Sequence, residues 1–190
     1  MSVLVDGTGS GHRAAVDSQN RLKVDSVSED AYVHAAENGR AFNINTGIVT
    51  YSDTGPFEAG CLYLKNNSTV TLEIVNFFIG EANNRSGGNT TAPLYLTMYG
   101  NPTGAITGTD VALVNRRIGD ARDFNVQALK NPTGYTASGT PLLAQYQYSG
   151  RSFGSVNFTI PPGQSIVVEV GSPCDSFSAY VGFTGYVGED

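Results

Sequence analysis

The alternation of apolar and polar residues along this chain predicts an all-β protein. From about residue 40 onwards, short runs of β-branched and aromatic residues are separated by clusters of Gly, Pro, Asn and Ser. This is the pattern of strands joined by turns. In LYLTMYG (94–100), apolar residues alternate with Tyr and Thr, so the strand has two different faces. The runs predicted as strands are 41–45, 47–52, 61–66, 70–80, 94–100, 110–115, 124–129, 142–148, 155–160, 165–170 and 178–187.

The number and spacing of these strands indicate two packed antiparallel sheets. Residues 39–190 are predicted to form one β-sandwich domain. A jelly roll of about eight strands suits that length better than an immunoglobulin-type fold of about 100 residues. In IPPGQSIVVEV, Pro161 and Pro162 end one strand and Gly163 permits the turn into the next. The predicted fold class is an all-β, jelly-roll-like antiparallel β-sandwich preceded by an extended N-terminal arm.

Residues 1–38 are predicted to form this N-terminal arm and a connector. The segment GHRAAVDSQNRLKVDSV (11–27) contains two short alternating patterns separated by a turn at 17–20, which indicates a β-hairpin. The next segment, 28–40, is compatible with a short helix or with an extended connector. The apolar residues of the arm are candidate interface residues for docking on another surface: Val16, Leu22, Val24 and Val27.

The charge of the chain argues against nucleic-acid and membrane partners. The net charge is −6, and the 11 Lys and Arg residues are scattered, whereas binding to phosphate backbones needs clustered basic residues. The densest group, Arg116–Arg117 with Arg122 nearby, is interpreted as a solvated loop or an interface ion pair. No apolar run approaches the roughly 20 residues of a membrane helix. The N-terminal sequence shows no apolar signal segment, so synthesis in a cytoplasm is expected.

The residues that usually carry chemistry form no catalytic or metal-binding motif. His12 and His34 precede the predicted sandwich, where neither would be held rigidly against a nucleophile. Cys61 and Cys174 lack the spacing of a zinc site and are expected to be buried thiols. The acidic residues show no paired arrangement for glycoside cleavage. We therefore predict no enzyme activity, no cofactor and no metal.

Several other positions carry specific expectations. Two copies of Asn-Pro-Thr-Gly, at 101–104 and 131–134, are predicted to be independent type I turns. Glu73 and Glu169 lie within apolar strands and are predicted to face outward from half-solvated sheets. Two tyrosine pairs each share a sheet face and form either core edges or a binding surface for sugars or proteins: Tyr95 with Tyr99, and Tyr146 with Tyr148.

Five segments follow one another in an informative order: AAVDSQNRLKV (14–24), ENGRAFNINTGIVT (37–50), LYLKNNSTVTLEI (62–74), NPTG (101–104) and IPPGQSIVVEV (160–170). Together they resemble a family of small virion proteins of tailed bacteriophages, some of which are similar to capsid decoration, or cement, proteins. The resemblance extends from about Ala14 to Val170. It implies a β-sandwich with an N-terminal arm, commonly a homotrimer, attached to the capsid shell, and it brings no catalytic residues.

The function that this resemblance implies is binding to the outside of the phage head lattice, which stabilises the shell. The expected partners are the major capsid protein and further copies of the chain. The expected location is the outer capsid surface of a virion made in the host cytoplasm. On this hypothesis, residues 2–27 anchor the protein through the four apolar candidates of the arm. The alternative is a receptor- or glycan-binding module of a phage tail fibre or baseplate.

Overall fold

The computed structural model describes three short strands near the N-terminus and residues 31–52, 57–81, 85–87, 94–148 and 151–188. The chain divides into two compact units, Met1–Asp30 and Ala31–Asp190. Within the described residues, the second unit consists of strands and one short helix, α1 (Ala31–Glu37). The prediction of an all-β protein is confirmed.

The first unit contains a small antiparallel sheet. Its strands are β1 (Leu4–Val5), β2 (Arg13–Val16) and β3 (Leu22–Lys23), with β2 in the centre. Val16 stands opposite Leu22 in the pairing of β2 with β3. The predicted hairpin is therefore present, and its turn at 17–20 lies outside the described residues.

In the part of the second unit that the structure describes, there are twelve strands arranged in two sheets. They are β4 (Ala41–Asn45), β5 (Val49–Ser52), β6 (Phe57–Asn66), β7 (Leu72–Glu81), β8 (Leu94–Gly100), β9 (Thr103–Asp110), β10 (Val114–Asn115), β11 (Val126–Thr136), β12 (Leu143–Tyr148), β13 (Arg151–Ile160), β14 (Ser165–Ser172) and β15 (Ser176–Val187). In the first sheet the order is β10-β4-β15-β7-β13, and β5 also pairs with β15. In the second sheet the order is β12-β8-β14-β6-β11-β9.

The order of the central strands is that of a jelly roll. The chain alternates between the sheets so that β4-β15-β7-β13 face β6-β14-β8-β12, which is the double-sheet arrangement of eight antiparallel strands. Strands β9, β10 and β11 are inserted between the fourth and fifth of these eight. The predicted jelly-roll-like sandwich is confirmed.

The space between the two sheets is filled by the inward-facing residues of both. Phe42, Phe177 and Phe183 are fully buried there, together with the leucine, isoleucine and valine side chains of the central strands. Each such side chain contributes about 1.5–3 kcal/mol when it is removed from water. Cys61 and Cys174 are buried free thiols, as predicted. This core makes the sandwich a rigid scaffold for the residues on its outer faces.

Segment 28–40 was compatible with a short helix or with an extended connector, and its described part contains helix α1. It occupies residues 31–37 and is followed by Gly39, whose positive φ of 67° suits a helix end. The helix contacts β4 and β15, and the ring of Tyr32 meets that of Tyr186 edge-on at 6.4 Å. The helix therefore belongs to the second compact unit, Ala31–Asp190.

Candidate functional site

Strand β9 and the distal half of β11 form a two-stranded ribbon that covers the outer face of the second sheet. The ribbon starts beside β6, where β11 pairs with it from Val126 to Lys130. Beyond Lys130 it turns over the sheet, and its residues Ile106 and Tyr135 pack on a second apolar cluster of Tyr63, Leu129 and Val167. Strand β6 is consequently covered on both faces, by the opposite sheet and by this ribbon.

The two Asn-Pro-Thr-Gly motifs lie in this ribbon and contact each other, so the prediction of two independent turns is wrong. The first motif leads into β9, but the second lies inside β11, where the register with β9 shifts at Thr133. Asn101 and Asn131 share a left-handed φ of 49°. Gly104 packs against the carbonyl oxygen of Gly134, and Gly134 packs against that of Ala105. The second motif therefore lies at an irregularity in the pairing of the ribbon, and irregularities of this kind bend a strand pair.

Gly60 in β6 is the point on the sheet where the bend is accommodated. A Cβ atom at Gly60 would lie 2.7 Å from Cγ of Pro132 and 2.8 Å from the hydroxyl of Tyr135. Only glycine leaves room for the ribbon at this distance. A groove of about 490 Å³ lies beside the bend, between the ribbon and Tyr51 of β5.

The ribbon changes the environment of residues that were predicted to be half-solvated. Glu73 in the first sheet is partly exposed, but Glu169 in the second sheet retains only 7% of its exposure. The half-solvated prediction is therefore wrong for Glu169, because its face of β14 is covered. Tyr95 and Tyr99 are both partly buried on β8, and Tyr99 packs on the second apolar cluster.

The outer face of the first sheet carries aromatic rings that lie against glycine backbone. The ring of Phe78 covers Gly182, and the ring of Tyr180 covers Gly80. Both rings are partly exposed. These two glycine–aromatic pairs form a flat apolar shelf on this face, which we call the aromatic shelf. The sequence pattern offered no signal for it, because Gly80 and Gly182 are remote in sequence and meet only through the pairing of β7 with β15.

The loop between β10 and β11 presents an exposed apolar tip next to two arginines. Ile118 is fully exposed at 101%, and Arg116 and Arg117 on its N-terminal side are exposed as well. The backbone of the loop is held in place, since the Arg116 amide donates to the Ala41 carbonyl at 2.9 Å and the Arg122 amide to Asp120 Oδ1 at 2.9 Å. The predicted solvated loop at Arg116–Arg117 is present.

The other candidates from the sequence fall into two groups. Val16 and Leu22 are brought together as a cross-strand pair of the N-terminal sheet, whereas Val24 and Val27 lie outside the described residues. Tyr146 and Tyr148 belong to β12, whose pairing with β8 is described but whose side chains at these positions are not.

The cysteine and histidine residues considered in the sequence have the following surroundings. Burial raises the pKa of Cys61 from 9.0 to about 11, partly offset by hydrogen bonds with Tyr51 and Thr46. His34 lies on α1 beside Asn38, and His12 lies outside the described residues. In the part of the chain that the structure describes, no group of three His, Cys, Asp or Glu side chains could hold a metal ion.

Asn66, in the segment LYLKNNSTVTLEI, has a purely structural role. It is fully buried, and its side-chain amide donates to the carbonyls of Val70 and Ile160 at 2.8 Å each. Its Oδ1 accepts from the backbone amide of Ser68 at 2.9 Å and from the Ser68 hydroxyl at 2.6 Å. All four hydrogen-bonding positions of the amide are satisfied, and together they fix the connection from β6 to β7.

Comparisons with protein-family models, with curated protein sequences and with solved structures find no match to this chain. Over the described residues, no helix has the length and apolar character needed to cross a membrane.

Proposed function

We propose that this chain is a decoration, or cement, protein of a tailed-bacteriophage virion, which binds the outside of the head lattice and stabilises the shell. Its proposed partners are the major capsid protein and further copies of itself in a homotrimer. The ordered segments that resemble this family support the proposal. The structural observation that carries it is the separate N-terminal unit of residues 1–30.

This N-terminal unit is too small to be stable by itself. Its three strands have two, four and two residues, and units below about 40 residues usually need disulfides, metals or association to fold. Its sequence contains no cysteine. A unit of this size without cysteine is usually stabilised by association, and in the proposal the capsid is its partner.

The strand pairing of the unit suits such an attachment. Strands β1 and β3 are its edges, and the unpaired backbone groups of an edge strand can hydrogen-bond to a strand of another protein. The candidate pair Val16 and Leu22 lies at the β2–β3 register. If three arms act from one trimer, the effective concentration of the second and third arms raises the overall affinity by roughly 10²-fold or more.

In this proposal the sandwich is a rigid block that contributes no chemistry of its own. A ligand that binds only the assembled state stabilises that state in proportion to its occupancy. A protein that contacts several capsid subunits at once would therefore stabilise the closed shell and leave free subunits unaffected.

Counting the chain in purified particles tests the function. Quantitative mass spectrometry of virions should find this chain in a fixed ratio to the major capsid protein, with hundreds of copies per particle. A handful of copies, or none, would contradict the decoration function.

The aromatic shelf favours a second candidate, the receptor- or glycan-binding module. Partly exposed rings that lie over glycine backbone, such as those of Phe78 and Tyr180, provide apolar faces that suit stacking against sugar rings. This candidate predicts low copy number and binding of the purified protein to host cells. Binding should be lost in the Phe78→Ala/Tyr180→Ala variant and retained in Ile48→Ser, which changes an exposed residue on a loop.

A further inference from the structure

We propose that the Arg116–Ile118 loop of one copy binds an apolar, acid-rimmed cleft on a second copy of the same chain. The contact is between two different surfaces of the chain. It concerns only the sandwich unit, and it holds whether or not the protein decorates a capsid.

The donor half of the contact is the tip of the β10–β11 loop. Ile118 is 101% exposed and Val114, at the base of the tip, is 61% exposed. Burial of this side chain against a partner would remove apolar surface from water, which is favourable. The loop is already fixed by the Arg116–Ala41 backbone hydrogen bond and by Asn115, whose side chain donates to the Gly39 carbonyl at 2.9 Å. Binding would therefore cost little additional ordering.

The acceptor half is a cleft of about 390 Å³ at the end of the core. Its wall contains the apolar residues Val111, Leu113, Phe124 and Val126. Three of these are partly exposed although they pack on the core, and Phe124 is 5% exposed. The cleft thus combines a partly uncovered apolar wall with polar groups at its rim.

The charges around the two halves are complementary. Arg116 and Arg117 flank the Ile118 tip, and their guanidinium groups make no ion pair within the described chain. The cleft is lined by the exposed carboxylates Asp110 and Asp123 and by a single cation, Arg122. The tip, which carries Arg116, Arg117 and Asp120, therefore has a net positive charge and meets a cleft with a net negative rim, which favours this pairing over contact between two like surfaces.

The loop cannot occupy the cleft of its own chain, because Ile118 is fully exposed in the folded protein. Such surfaces join copies reciprocally in a two-fold dimer, or head to tail in a ring or a filament, depending on the rotation between copies. The mass of the assembly in solution gives the number of copies.

Sedimentation velocity of the full chain over a range of concentrations measures the association. The wild-type protein should form a defined oligomer. The Ile118→Ser variant should weaken association by about 10- to 100-fold, the ratio expected from exposing one buried isoleucine. Ile48→Ser is the matched control, since Ile48 is also an exposed isoleucine at 65% but lies on another loop. It should associate like the wild type.

Charge exchange identifies the two surfaces. The Arg116→Glu/Arg117→Glu variant and the Asp110→Lys variant should each dissociate the oligomer, and the chain that carries all three changes should recover association. Circular dichroism confirms that each variant is folded. A wild-type protein that is monomeric at every concentration, or a combined variant that shows no recovery, would overturn the proposal.

Cross-linking distinguishes contact between loop and cleft from contact between two loops. Ala112 is exposed and lines the cleft, so a chain with both Ile118→Cys and Ala112→Cys should form intermolecular disulfides under mild oxidation. Neither single cysteine variant should do so. Efficient linkage of Ile118→Cys alone would mean that two loops meet each other, which contradicts the proposed cleft.

Discussion

The strands of the two sheets have the same alternating sequence pattern, but their outer faces lie in different environments. Glu73 in the first sheet is partly exposed, whereas Glu169 in the second is 7% exposed. The difference comes from the ribbon of β9 and β11, which covers only the second sheet. The alternation of apolar and polar residues determines which face of the sheet a side chain occupies. Whether that face is exposed to water is determined by a segment distant in sequence.

The two faces also use glycine differently. In the first sheet Gly80 and Gly182 are covered by aromatic rings of neighbouring strands, so this face covers its own backbone. In the second sheet Gly60 leaves space for Pro132 and Tyr135 of the ribbon. Substitutions that distinguish core, covered face and open face therefore test this comparison directly.

The largest effect is expected from the core that both sheets share. Phe183 is fully buried and meets the ring of Phe158 edge-on at 6.1 Å, so Phe183→Ala should lower the free energy of unfolding by about 3–5 kcal/mol. Phe78→Ala on the open face should cost clearly less, because Phe78 is partly exposed. Urea unfolding measures both, and equal losses would contradict the assignment of an open outer face.

The buried thiol of Cys61 should make stability depend on pH in the alkaline range. Because burial raises its pKa from 9.0 to about 11, the unfolded chain loses this proton at a lower pH than the folded chain. Below pH 9 both states hold the proton and there is no effect. Between pH 9 and pH 11 the free energy of unfolding should fall by about 3 kcal/mol from this group. In Cys61→Ala this contribution should disappear from the pH profile, and an unchanged profile would refute it.

The approach of the ribbon to β6 should be sensitive to a single added methyl group. Gly60→Ala would place Cβ 2.7 Å from the Pro132 carbonyl oxygen, and such overpacking costs about 1–3 kcal/mol. Gly100→Ala is the control in the same sheet, because its Cβ would meet only Leu142, at 3.6 Å. Thermal unfolding should show a lower melting temperature for Gly60→Ala, and similar effects of the two changes would argue against a closely packed ribbon.

The smallest expected difference in stability is between alanine variants of the two glutamates. Glu169→Ala removes a buried, partnered carboxylate and should cost roughly 1–2 kcal/mol. Glu73→Ala should stay within about 0.5 kcal/mol, as is usual for exposed sites. Chemical unfolding of the two variants in parallel measures the difference, and a larger loss at Glu73 would reverse the comparison.

Much of the fold could be predicted because runs of β-branched and aromatic residues are recognisable as strands in the sequence. LYLTMYG corresponds to β8 residue for residue. Strand β9, TGAITGTD, was missed because its threonines and glycines lack an apolar face, and seven of its eight residues are exposed. The contact between the two Asn-Pro-Thr-Gly motifs was also missed, since each motif alone has the composition of a turn.

The candidate surfaces were predictable to different degrees. The opposition of Val16 and Leu22 follows from the hairpin pattern of the arm, because pairing across a short turn sets the register. The exposure of Ile118 does not follow from any pattern, since an isoleucine between Arg117 and Gly119 can equally turn inward. Only the anchoring of the loop on Ala41 and Gly39 fixes its direction.

The most direct test of the proposed decoration function is whether residues 1–27 bind the protein to a phage capsid. Capsids stripped of this chain should bind the full-length protein in a saturable manner and become more resistant to heat. A protein that lacks residues 1–27 should remain folded, since the sandwich is a separate compact unit, and should no longer bind. The Val16→Ser/Leu22→Ser variant should bind more weakly than the wild type. Undiminished binding of the truncated protein would contradict the anchoring role of the arm.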